Sequence, residues 1–243
     1  MRLGCLEHDP ARAAAMPLAR LGAVPPPLRI PLPDWQPDRY DNDTNPTCTV
    51  CALAHSARAW SWKFGGTDVQ VPVSAIDALY SRATGVPLAG IAASDGADPL
   101  QVVATAQADG WDIGGQAPLV PASRVTSARQ LDIARAIDRA GVAMLALTLT
   151  EGDMEAVQAG REWTLDYAPG PVAGGHMAAM GAYDGLGPLY AAHIATWGRW
   201  QAASWEWVQD RIRLVLVAGW RQLLGPAQVA AYDALWSAAA AAA

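Results

Sequence analysis

The chain has 243 residues, 52% of them hydrophobic, which is enough to bury a substantial core as one large domain or two interdigitated lobes and excludes disorder for most of its length. Its formal net charge of −6, one lysine (Lys63) and singly scattered arginines leave no basic face for a nucleic acid. No run reaches the roughly 18 uninterrupted apolar residues of a membrane span, since the best candidate, Leu131 to Leu149, carries Asp132, Arg135, Asp138 and Arg139.

The N-terminus, Met1 to Pro10, has no continuous apolar stretch before its charges and proline, so no secretory signal is expected. Three cysteines, an odd number, fit a reducing compartment better than a disulfide framework. Residues 1–40, with Pro25-Pro26-Pro27 and Pro31-Leu32-Pro33, read as a proline-rich extended arm laid over the body. The expected body is one domain, 41–243: a helical lobe over about 41–110, a β-rich lobe over about 111–220, and a C-terminal helix and tail over about 221–243.

The next segment, Asn42-Asp43-Thr44-Asn45-Pro46-Thr47-Cys48-Thr49-Val50-Cys51, places a thiol at the start of a helix. Asn45 or Thr47 can cap it, Pro46 suits its first turn, and Val50, Leu53, Ala54 and Ala57 form an apolar stripe toward Trp60. In the first turn, unpaired N–H groups and the positive end of the helix dipole favour thiolate over thiol at Cys48. The alternative is that Cys48 and Cys51 are small buried hydrophobes. Helical patterns are expected over about 47–63, 74–84, 98–109 (stopped by Gly110) and 127–140 (stopped by Gly141).

Short β-like runs follow at 143–150, 177–183, 189–196, 204–208 and 212–218, so the predicted class is α+β with two lobes and a cleft between them. His176, in Gly174-Gly175-His176-Met177, can serve the thiol as a base or be a hydrogen-bonded core histidine; His55 and His193 read as structural. Trp197, Trp200, Trp205 and Trp207 are either groove-lining or core residues. The run Ala238 to Ala243 reads as a frayed helical end.

Together these features resemble the papain superfamily of cysteine peptidases over about residues 20–220. Those features are a cysteine opening a helix, Pro72-Val73-Ser74 with Leu79-Tyr80, Ser94-Asp95-Gly96-Ala97 before a helix ending Asp109-Gly110-Trp111, Gly174-Gly175-His176 with Gly181-Ala182-Tyr183-Asp184, and Thr196-Trp197-Gly198 with Trp205. The set Asn42-Asp43, Cys48-Thr49, His55 and Trp60 is similar, more narrowly, to papain-like proteins of phages and prophages, with Pro46-Thr47 where that group has Gly-Asp.

The resemblance implies a papain-like fold, Cys48 as nucleophile, His176 as base and Asn42 in the oxyanion-hole position. A second register makes Cys51 the nucleophile and Asn45 the oxyanion donor; the Cys48 register is preferred. The family's third member, an asparagine, falls at Ala195, so Thr196 or a backbone carbonyl would orient the imidazole. No cofactor and no metal are expected on this reading, and the substrate is a peptide or other amide.

Two further readings stand beside it. One is an eroded papain-like fold serving as a structural component of a phage particle, with neighbouring virion proteins or a second copy as partners and the host cytoplasm or the virion as location. The other is a zinc-stabilised module using Cys5-x-x-His8 with Cys48-x-x-Cys51.

Overall fold

The structure, a computed structural model, describes residues 1–19, 21–22, 24–113, 118–166 and 170–237. The arm contains one short helix, α1 (Pro10–Ala15), where the sequence reading expected only extended chain: Asp9 caps it through the Ala11 N–H and Pro10 occupies its first turn. The helical half follows as α2 (Cys48–Trp60), α3 (Val73–Thr84) and α4 (Pro99–Asp109). Then come β1 (Ala122–Thr126), α5 (Gln130–Ala140), β2 (Ala143–Thr150), α6 (Glu151–Gln158), β3 (Val172–Tyr183), β4 (Ala191–Thr196), β5 (Arg199–Ser204), α7 (Trp205–Arg211), β6 (Ile212–Gly219) and α8 (Pro226–Ser237). The alanine run at 238–243 lies outside the described residues.

Helix α2 is the axis of the molecule. Every one of its residues is buried, because α3 and α4 pack on one side and β3 and β6 on the other, so a one-sided apolar stripe is not enough to describe it. Several of its polar side chains are engaged: Ser56 accepts from Trp220 Nε1 at 3.0 Å, and Arg58 forks onto Asp68 at 2.9 and 2.8 Å, whereas Thr49 Oγ1 and Trp60 Nε1 are buried without a partner among the described residues. Past Trp60 the helix loosens into a π turn, Ser61–Gly65, closed by Gly66 in the left-handed conformation.

The strands form one antiparallel sheet in the order β1-β6-β2-β3-β4-β5. Strand β2 sits at its centre and is almost wholly buried, with α2, α5, α6 and α7 packed against it. Strand β3 starts earlier than its apolar run suggests, so Gly174, Gly175 and His176 lie within the ladder, with His176 opposite Leu147.

The expected strand at 204–208 is a correction. That segment is α7, because the Ser204 side chain accepts from the Trp207 N–H and starts a helix that buries Trp205, Trp207 and Val208. Helix α6 begins with a capping box between Thr150 and Asp153.

Asp153 also ties three elements together: its carboxylate accepts from Trp207 Nε1 at 2.7 Å, Arg211 Nε at 3.0 Å and the Thr150 hydroxyl at 2.9 Å. Removing it takes the acceptor from four donors: Trp207 Nε1, Arg211 Nε, and the Thr150 hydroxyl and backbone N–H. Asp153→Ala is expected to cost about 3–5 kcal/mol in urea unfolding; a loss under about 1 kcal/mol would show that the network is not structural.

Candidate active site

Cys48 is the first residue of α2, following Thr47, which takes the N-cap position without a side-chain cap bond. Its side chain is completely buried. Burial pushes the Cys48 thiol up to about 11, against backbone N–H groups of Met177, Gly4, Thr49 and Cys48 itself that face the sulfur and favour its anion. The Met177 contact sets the thiol against the residue that follows His176.

His176 is also completely buried, and desolvation pushes it down to about 3, so the imidazole is neutral. Its Nε2 lies 2.7 Å from Thr196 Oγ1. Its Nδ1 is buried and has no hydrogen-bond partner among the described residues. The Trp197 ring stacks on the imidazole with centroids 4.1 Å apart and planes 13° from parallel. Trp197 reaches that position through a left-handed backbone (φ 45°), a strained conformation for a bulky residue.

Asn42 sits in the turn before α2 and is buried, its side-chain Oδ1 without a partner among the described residues. Cys51 lies one turn into the helix with its sulfur 3.6 Å from the Thr47 hydroxyl, and burial raises its thiol well above the ordinary range.

The other candidates have structural partners. His55 Nε2 contacts the backbone N and O of Asp38, and His193 Nε2 lies 3.2 Å from Asp184 Oδ2. Trp205 and Trp207 are in the core, and Trp200 packs on Trp35 with centroids 4.9 Å apart. The zinc reading is corrected: among the described residues no three or more of His, Cys, Asp and Glu gather in a metal-binding arrangement, and Cys5 instead adjoins Arg213.

Residues 4–6 of the arm, which sequence reasoning did not place at the site, cover the thiol. The Gly4 carbonyl accepts from the Ala97 N–H at 2.8 Å, the Leu6 N–H donates to the Ala97 carbonyl at 3.0 Å, and the Cys5 N–H donates to the Gly175 carbonyl at 3.1 Å. The arm thus runs as a strand between the loop before α4 and the start of β3.

Three glycines make the fit possible. A Cβ on Gly4 would come 2.2 Å from the Pro46 carbonyl oxygen, one on Gly96 2.1 Å from the Gly4 oxygen, and one on Gly175 1.9 Å from the Cys5 oxygen. The Gly4 backbone N–H favours the Cys48 thiolate, and the Gly4 carbonyl is taken up by the Ala97 N–H.

Known structures share this arrangement of helices and sheet. The chain is similar to xylellain, a cysteine protease from Xylella fastidiosa, with a TM-score of 0.58 at 10% identity over 89% of this chain and 91% of that one. The fold is papain-like. Procathepsin B S9 from Trypanosoma congolense is similar too, with a TM-score of 0.55 at 10% identity over 90% of this chain and 82% of that one. No protein-family model and no curated protein sequence matches the chain. In the papain-like frame the helical half carries Cys48 and the sheet carries His176, as the α+β reading expected.

Proposed function

We propose that the chain is a papain-like thiol hydrolase acting on peptide or other amide bonds, with its resting site covered by its own N-terminus. The observation that carries this reading is the orientation of His176: Nε2 is held by Thr196 and the buried Nδ1 is left without a partner, available to a thiol proton.

Once the arm withdraws, His176 takes the proton of Cys48 and the thiolate attacks the amide carbonyl carbon. The Cys48 N–H and the Asn42 side-chain amide receive the oxyanion. The C–N bond then breaks, the leaving amine takes the proton from His176, and water, deprotonated by His176, releases the acid and regenerates the thiol. Thr196 fills the orienting role that an asparagine has in the family the sequence resembles, and the Thr47 hydroxyl at its sulfur supports a packing role for Cys51.

Within that reading, Asn42-Asp43, Cys48-Thr49, His55 and Trp60 support a phage or prophage type, acting in the host cytoplasm or as a virion component. The test is iodoacetamide labelling from pH 5 to 9, mapped by mass spectrometry, in the full chain carrying Gly4→Ala to free the site. Labelling of Cys48 already at pH 6 that falls at least tenfold on adding His176→Ala is the expected result. Labelling that rises only near the free-thiol pKa of about 8.5, with or without His176, would instead mark an eroded site, and binding partners such as virion proteins or a second copy would be sought.

A further inference from the structure

Arg213, the second residue of β6, brings its guanidinium beside Gly175 and the Cys5 side chain of the arm. Its Nη2 donates to the Leu147 carbonyl at 3.1 Å and lies 4.0 Å from Cys5 Sγ. Its Nε is buried with no hydrogen-bond partner, and among the described residues no carboxylate comes within ion-pair distance. Gly175 is what admits it: a Cβ there would come 2.6 Å from Arg213 Nη2 as well as striking the arm.

A partly buried guanidinium with an unfilled donor and no anion is costly unless something supplies the anion. The arm supplies only a thiol, and a buried one whose proton is held tightly. The nearest carboxylate that influences Cys5, Asp98, is already occupied as the cap of α4, accepting from the Leu100 N–H at 2.8 Å, and lies 3.5 Å from Arg12.

We infer that the slot now holding the Cys5 side chain is a substrate subsite that takes a carboxylate side chain, an aspartate or glutamate of an acidic peptide, paired to Arg213. The inference rests on the reading of this cleft as the substrate groove. A carboxylate in the slot gains charge-assisted hydrogen bonds that a thiol at 4.0 Å does not. The arm is thus a deliberately weak occupant, one an acidic peptide can displace.

The arm itself is the probe. In the full chain, Cys5→Asp and its uncharged isostere Cys5→Asn are compared by the rate at which iodoacetamide modifies Cys48. Aspartate is expected to hold the arm down and slow labelling roughly tenfold or more relative to asparagine, as a charged hydrogen bond allows. The gap closes in an Arg213→Met background.

Equal rates for the two arms, faster labelling with aspartate, or a gap that persists without Arg213 would each overturn the assignment. Should Arg213→Met not fold, Arg213→Glu with Cys5→Lys gives the reversed pair, which must restore slow labelling. Alkylation needs an accessible thiol but no turnover, so a chain that hydrolyses nothing would sink the proposed function while leaving this subsite measurable.

Discussion

Gly4→Ala is expected to raise the rate of Cys48 alkylation at pH 7 by roughly 5- to 150-fold. The new methyl group meets the Pro46 carbonyl oxygen at 2.2 Å, a contact with backbone that no side-chain rotation relieves. Overpacking of this kind costs about 1–3 kcal/mol, and each 1.4 kcal/mol multiplies the population of an opened state about tenfold. The cost falls on the arm, because its residues 4–6 are held by three backbone hydrogen bonds while the body beneath keeps its own core.

Mass spectrometry separates Cys48 from Cys51, which stays inside α2 beside Thr47 and is expected to remain unlabelled. Urea unfolding of the same variant should change by less than the opening cost, since the cooperative core is untouched. An unchanged alkylation rate would show that the arm does not limit access to the thiol. A rise at Cys48 and Cys51 together would show global loosening instead of arm release.

Acidification from pH 7 to 4 is expected to destabilise the fold by about 3 kcal/mol for each of His55 and His176. Both rings are buried and neutral, pushed down to about 3 from an unfolded value of 6.5, His176 by desolvation and His55 by desolvation together with the Arg58 charge, against the Asp38 backbone contact. The groups facing His55 are Asp38, Tyr40, Trp35 and Arg58; those facing His176 are Thr196 and Trp197.

The sign follows from proton counting. Between pH 6.5 and 3 the unfolded chain binds protons that the folded chain excludes, so stability is full above pH 6.5 and is lost as pH falls through this window. Urea midpoints measured at pH 7, 6, 5 and 4 check this, and His55→Gln and His176→Gln should each flatten the slope. Midpoints that hold steady from pH 7 to 5 would mean that the folded rings take up protons as readily as the unfolded ones.

Local signals were legible where neighbours in sequence supply the physics. Gly110 and Gly141 end α4 and α5 with positive φ, and the run 143–150 is strand β2 with both faces covered. Asp9-Pro10 and Thr150 to Asp153 also carry the cap chemistry of α1 and α6, yet apolar periodicity was too short in either to predict a helix. At 204–208 periodicity misled, because alternating tryptophans suit a strand as well as a helix turn and Ser204 decides between them by capping.

The sequence by itself determined the α+β class and the helix that begins at Cys48, because capping, periodicity and glycine stops act over a few residues; Cys48 and His176 became candidates through the resemblance of their motif order to the papain superfamily. Only the tertiary structure decided that Thr196 stands at His176 Nε2, that Gly4 faces the Cys48 sulfur and that Arg213 lies under Cys5 without an acid partner. These pairs are 20, 44 and 208 positions apart in the chain. Their contacts come from sheet register and from an arm crossing both halves, which no local pattern encodes.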